Sequence, residues 1–279
     1  MSLGKVKQLI ITILSSLRWE KKVPIFQMKE KSNLLSGTTA LISGGSGGIG
    51  MAIAKKFLER GCEVVIAGTN ETKLQKCALE LGTPYYKVID LEKVSSFDEA
   101  IKEIATMING KLNILVNCSG VHTKRENFNF LSVTEYDYDY VMNINLKGTY
   151  FLSQAFARYM INNNIKGHIL NISSQSALEA SWSPYRLSKR GIDGITRGMA
   201  QVLLPYGIIV NSIGPGPTAT SMQDECVKGS IFSFDNPINR YTLPEEVAEY
   251  ACLMVSQLGD TIIGDTLYMS GGRAIIDGK

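Results

Sequence analysis

Tyr185 and Lys189, four residues apart in Tyr185-Arg-Leu-Ser-Lys189, are the pair in this chain best suited to moving a proton. On a helix that spacing puts phenol and ammonium on one face, about one turn apart. A free tyrosine titrates near pH 10 and is a poor proton donor or acceptor at neutral pH, by roughly three units. A neighbouring ammonium favours the phenolate and is expected to lower that value, giving an acid/base couple. Eleven residues upstream, Ser174 offers a hydroxyl that could hold a carbonyl or alcohol oxygen. By itself the pair also fits an ordinary helix face, so its meaning depends on the elements around it.

Those elements alternate. Residues 38–42 read as a buried strand that runs into Ser43-Gly-Gly-Ser-Gly-Gly-Ile-Gly50, and 51–60 read as an amphipathic helix stopped by Gly61. Two glycine registers fit, Gly45-x-Gly47-x-x-Gly50 and Gly44-x-x-x-Gly48-x-Gly50. In this strand-to-helix setting glycines let the backbone turn tightly and approach a pyrophosphate seated at the helix N-terminus. Further strands are expected at 63–67, 85–89, 113–117, 168–172, 207–211 and 265–269, with a long helical stretch over much of 134–161. Strands separated by helix-length segments require crossovers and a parallel sheet covered on both sides. The expected class is α/β: a doubly wound, seven-stranded parallel Rossmann-type sheet with helices on both faces.

The chain has 279 residues, 44% of them hydrophobic and 20% charged, enough for a substantial core. A net charge of +3, with no basic block, gives no footing for nucleic-acid binding. Cys62, Cys77, Cys118, Cys226 and Cys252 are odd in number and scattered, which suits a reducing, cytoplasmic setting better than a disulfide framework. His122 and His168 form no metal-ligand spacing, and no metal is expected. Residues 1–33 stand apart as an N-terminal arm, with residues 34–279 as a single domain. The apolar centre of the arm, Leu9-Ile-Ile-Thr-Ile-Leu14, is too short to span a bilayer, and a packing or subunit contact is its expected role.

The second glycine register, with Ser43 where threonine is usual, resembles that of the short-chain dehydrogenase/reductase family. Asp90-Leu91, Asn117-Cys-Ser-Gly120, Asn145-Leu-Lys-Gly148, Asn171-Ile-Ser-Ser174, Tyr185-x-x-x-Lys189 and Pro215-Gly216 with Thr218 and Thr220 follow in the family's order. The likeness covers about residues 34–273. Two of the four positions in Asn117-Cys-Ser-Gly120 depart from the family's Asn-Asn-Ala-Gly, and the Ser174–Tyr185 interval is shorter than in many relatives. Arg186 is bulkier than the small residue often found there, and Ala177 replaces a common glycine.

The resemblance implies hydride transfer between nicotinamide and a carbonyl or secondary alcohol. Tyr185 would be the acid/base, Lys189 would tune it and hold the nicotinamide ribose, and Ser174 would bind the substrate oxygen. Asn145 would help hold a water linking Lys189 to solvent. The implied cofactor contacts are Gly44, Ser46, Gly48, Ile49, Gly50, Thr69, Asn70, Asp90, Leu91, Asn117, Ser119, Gly120, Pro215, Gly216, Thr218 and Thr220. The corner Ala67-Gly-Thr-Asn70 lacks the acid that binds a ribose 2′-hydroxyl, which favours NADP over NAD. Asn70 is expected to cap the next helix, with Glu71 in its first turn. Substrate choice is expected to lie in loops 121–131, 175–184 and 217–240. There Met222, Phe232 and Phe234 would give apolar cover, and Arg240, His122, Lys124 and Arg125 would favour an anion. A 3-oxoacyl thioester, a sugar or polyol, and a hydroxysteroid all fit. So does a non-catalytic dinucleotide-binding regulator. The family also implies a homo-dimer or homo-tetramer built on helices around 134–161 and 188–204.

Overall fold

The structure, a computed structural model, describes residues 33–108, 111–123, 128–220, 231–233 and 236–273. Residues 1–32 of the N-terminal arm 1–33, Lys124, Arg125, Met222 and Phe234 lie outside them. In chain order come strand β1 (Thr39–Ser43), helix α1 (Gly48–Glu59), β2 (Glu63–Gly68), α2 (Glu71–Leu81), β3 (Tyr86–Val88), α3 (Phe97–Met107) and β4 (Ile114–Asn117). Then follow α4 (Glu135–Met142), α5 (Thr149–Asn162), β5 (Gly167–Ile172), α6 (Pro184–Leu203), β6 (Ile208–Pro215), α7 (Pro244–Met254) and β7 (Thr266–Met269).

All seven strands form one parallel sheet in the order β3-β2-β1-β4-β5-β6-β7. Alternation along each strand builds two cores, because successive side chains leave a strand on opposite faces. Leu41, Val65, Leu115, Ile169 and Val210 face α3, α5 and α6, where Phe97, Ile104, Phe156 and Met160 cover them. Ala40, Ile42, Val64, Ile66, Val116 and Ile213 face α1, α2 and α7 and pack on Ile53, Phe57, Leu74 and Val247. The seven strands and both covered faces agree with the sequence reading.

The helical stretch 134–161 is less regular than its pattern suggests. Between α4 and α5 the backbone passes through six residues of π-helix, Asn143–Gly148. Gly148 explains part of this path: a Cβ there would stand 2.7 Å from Leu91 Cβ and 2.8 Å from Leu91 O. The helix is thus pressed against the Asp90-Leu91 corner, and only glycine fits at that contact. β1 and β4 are adjacent in the sheet but distant in the chain, so the connections leaving their carboxyl ends diverge and open a cleft there.

Candidate active site

The cleft is about 1090 Å³ and extends from the glycine loop across the ends of β4, β5 and β6 to the start of α6. Its near wall is the turn between β1 and α1. Gly44 has φ +70°, and a Cβ on it would lie 2.7 Å from the Ser119 backbone nitrogen. A Cβ on Gly50 would overlap the Gly44 carbonyl oxygen, so strand and helix are in closest contact there. The N-terminus of α1 has no side-chain cap and no acidic residue in its first turn. Its backbone N–H groups therefore face the cleft with no competing carboxylate, a donor set that fits the pyrophosphate of a dinucleotide. Thr220 closes over this loop, its side chain lying where a Cβ on Gly48 would fall.

The far wall is built by α6. Ser183 starts this helix by accepting from the Arg186 backbone N–H at 3.3 Å, and Pro184 occupies its first turn. Tyr185 and Lys189 then share one face, as the spacing requires. The Ser174 hydroxyl, just beyond the end of β5, accepts from Ser176 N at 3.1 Å and stands close enough to the Tyr185 phenol to favour its ionised form. Lys189 is buried, and its Nζ donates to the Ile172 carbonyl at 2.8 Å. The same Nζ lies 5.7 Å from the Tyr185 ring centroid.

Charge states correct one expectation. Burial pushes the Tyr185 phenol above its usual value, only partly opposed by the nearby Ser174 hydroxyl. The lysine does not lower it here, because the ammonium is anchored on Ile172 O, with its charge near the ring, not held on the hydroxyl. Burial in turn lowers Lys189 to about 8, despite raising contributions from Cys118 and Asp193. Tyr185 is therefore a neutral phenol at neutral pH. Cys118 lines the cleft, but burial pushes its thiol up to about 12, so it is no thiolate.

Of the residues singled out in the sequence, Gly44, Gly48, Ile49, Gly50, Gly120, Ser174, Tyr185, Lys189, Pro215, Gly216, Thr218 and Thr220 line the cleft. Ser46, Thr69, Asn70, Asp90, Leu91, Asn117, Ser119 and Asn145 are outside that lining. Thr69 and Asn70 are exposed at the end of β2, with Lys73 of the cleft wall beside them. The Asn70 side chain caps α2 by accepting from Lys73 N at 2.9 Å, as expected. Asp90 is engaged locally, accepting from the Glu92 backbone at 3.1 Å. The Asn117 amide turns into the interior, donating to Ser153 Oγ at 2.8 Å and Asn171 Oδ1 at 2.9 Å, which leaves only its backbone for a ligand.

Asn145 also needs a different description. Its Oδ1 accepts from Val121 N and its Nδ2 donates to Val121 O, both at 2.8 Å, with Ser188 Oγ at 3.2 Å. The side chain is thus a clamp on the Val121 main chain, and any role in holding water falls to its backbone. Arg240 is likewise not an anion receptor. Glu246 grips it with two contacts of 2.7 Å, and it does not line the cleft. His122 does line the cleft, its ring meeting Tyr185 edge-on at 6.0 Å, whereas His168 sits outside it beside Asp260 at 3.5 Å.

The sequence reading held Gln175 and Glu179 only as members of the loop 175–184 and did not single out Arg273, yet all three line the cleft. No motif marks them. Only the fold brings the chain after β7 back to the loop between Ser174 and Tyr185.

Residues 38–230 match the family model for short chain dehydrogenase. The chain belongs to that family. It is an NAD(P)-dependent oxidoreductase of the class acting on CH–OH and C=O groups. A 3-oxoacyl-(acyl-carrier-protein) reductase of Aquifex aeolicus is 32% identical over 248 residues, 85% of this chain and 98% of that protein. A (2S)-((R)-hydroxy(phenyl)methyl)succinyl-CoA dehydrogenase subunit of Thauera aromatica is 30% identical, covering 88% of this chain and 99% of its own. Among solved structures, a gluconate 5-dehydrogenase from Burkholderia cenocepacia in complex with NADP and tartrate superposes with a TM-score of 0.77. It is 29% identical, over 87% of this chain and 97% of that one. Among the described residues no helix is long and apolar enough to cross a membrane, and no cluster of His, Cys, Asp or Glu could hold a metal.

Proposed function

We propose that the protein reduces a carbonyl compound to a secondary alcohol, with Tyr185 as the proton donor. The convergence of Ser174, Tyr185 and buried Lys189 in the glycine-loop cleft carries this reading. Bound in the cleft, the reduced nicotinamide supplies the hydride that the carbonyl carbon accepts. As negative charge builds on the substrate oxygen, the Ser174 hydroxyl donates to it and Tyr185 Oη delivers its proton. The phenolate left behind is stabilised by the Lys189 ammonium and is re-protonated from solvent. A neutral phenol at rest is in the protonation state that the reductive step requires.

NADP is the preferred cofactor in this proposal. The corner after β2 holds Gly68, Thr69 and Asn70, with no carboxylate to repel a 2′-phosphate, and Lys73 stands on the cleft wall. The NADP in the Burkholderia relative is in keeping with it. We further propose that residues 34–279 act as one domain, in a reducing compartment such as the cytoplasm. The free thiols of Cys62, Cys77, Cys118 and Cys252 suit that setting. Exposed Tyr136, Tyr138 and Tyr150 on α4 and α5 support assembly as a homo-oligomer, which light scattering would test.

The deciding experiment follows nicotinamide absorbance across a panel of carbonyl compounds with native protein and Tyr185→Phe. Turnover should fall by about a hundredfold to ten-thousandfold in the variant, with cofactor affinity retained. Cofactor binding without turnover of any compound by the native protein would instead identify a regulator.

A further inference from the structure

Beside the reacting groups, the cleft wall carries a cluster of charges that the proton-transfer chemistry does not use. Arg186 follows Tyr185 on α6, and its Nη2 meets Glu179 Oε2 at 2.7 Å while its Nη1 donates to Ala180 O at 3.1 Å. Glu179 Oε1 accepts from Gln175 Nε2 at 2.7 Å, so that carboxylate is held from two sides. Arg273 approaches it with Nε at 3.7 Å. Its two terminal nitrogens have no partner among the described residues. Two guanidinium groups therefore share one carboxylate, and with Lys189 they leave a surplus of positive charge at this end of the cleft. Glu179 is the only acidic residue lining the cleft among the described residues. Trp182 lies under Arg186 at 5.3 Å and beside Phe128 at 5.8 Å, an apolar wall that adds no competing polar group.

We propose that Arg186 and Arg273, bridged by Glu179, form a subsite for a substrate carboxylate, so that the protein acts on free oxo acids and their hydroxy acids. A planar carboxylate matches the paired N–H groups of a guanidinium, whereas an ammonium would meet it as a point charge. Arg186 and Arg273 are part-exposed, so salt screens this surplus charge in part, but it still favours an anion over a neutral group. A thioester of a simple 3-oxoalkanoate brings no carboxylate near its carbonyl and would leave Arg273 unmatched. The carbon chain between carboxylate and carbonyl would lie along Trp182. This inference rests on the assignment of Ser174 and Tyr185 to the reaction.

The test compares 2-, 3-, 4- and 5-oxohexanoate with their methyl esters, using NADPH and the full-length protein. At least one acid should exceed its own ester in kcat/KM by about tenfold to a hundredfold, the scale of a charge-assisted hydrogen bond. In Arg273→Gln that ratio should fall toward one, mainly through KM, and Arg273→Lys should restore part of it. Arg158→Gln, which removes a surface guanidinium paired with Asp98 on the outer side of α5, should leave the ratio as in the native protein. Equal turnover of acids and esters, or a ratio that survives Arg273→Gln, overturns the subsite. If no carbonyl compound turns over, the proposed reaction fails and the subsite is judged by binding. A rise in the melting temperature of the NADPH complex on adding glutarate, lost in Arg273→Gln, supports it, and no rise in the native complex overturns it.

Discussion

Replacing Lys189 by methionine should change how stability depends on pH, in a direction opposite to that of a surface lysine. The ammonium is buried, and burial lowers it from the ordinary 10.5 to about 8. At about 1.36 kcal/mol per pH unit, that gap corresponds to roughly 3 kcal/mol of penalty for keeping the charge inside the folded protein. The penalty is complete below pH 8, where native and unfolded chains both hold the proton. Between pH 8 and 10.5 the native state sheds its proton while the unfolded chain keeps it, so the unfolded state binds more protons and stability rises with pH. Above 10.5 the penalty is gone. The native protein should therefore gain on Lys189→Met, which has nothing to titrate there, by about 2.5 kcal/mol between pH 7 and pH 10. Other groups titrating in that range are shared by the two proteins and cancel in the difference. Urea unfolding followed by circular dichroism at both pH values measures it. A difference that stays flat to within about 1 kcal/mol would mean that the ammonium is not desolvated, and the reasoning would fail. Turnover by the variant should meanwhile drop by at least about a hundredfold at either pH.

Three other outcomes follow from contacts already described. Gly50→Ala places a methyl against the Gly44 carbonyl, so it should cost about 1–3 kcal/mol in urea unfolding and weaken NADPH binding measured by fluorescence. Gly68→Asp is sterically tolerated, since its Cβ would meet Ser46 Oγ at 3.6 Å and Leu74 Cδ2 at 3.7 Å. Its new carboxylate should lower NADP affinity relative to NAD by about tenfold or more in parallel titrations. Asn145→Ala removes both hydrogen bonds holding the Val121 main chain and should destabilise the fold by about 1–3 kcal/mol, which thermal unfolding would show.

The strands and the glycine turn were legible in the sequence because their signals are local: β-branched runs of the right length, and glycines between a strand and a helix. All seven strands lie at or within a few residues of the expected places. The groups that move protons were legible through spacing, since Tyr185 and Lys189 share one helix. Their charge states were not, because the destination of the Lys189 ammonium is set by the Ile172 carbonyl on another element. The same limit explains Arg240 and Arg273. As isolated arginines near the cleft they look alike, but Glu246 neutralises the first, six residues away on its own segment. The second reaches the cleft by a tertiary contact with Glu179, which no sequence period encodes. Asn117 and Asn145 fell between these cases. The motif placed them near the carboxyl ends of the strands, and the direction in which each amide points was beyond it.

The widened turn over Asn143–Gly148 has a bearing on which changes in chain length this protein can accept. Losing a single residue there would let the coil tighten to its common pitch and swing everything beyond it through about 100°. Gly148 would leave Leu91, the amide of residue 145 would lose its grip on the neighbouring loop, and the buried side of α5 would face water. A one-residue deletion in this segment should thus be more damaging than most side-chain replacements along it, while the exposed connections elsewhere remain free to grow or shrink.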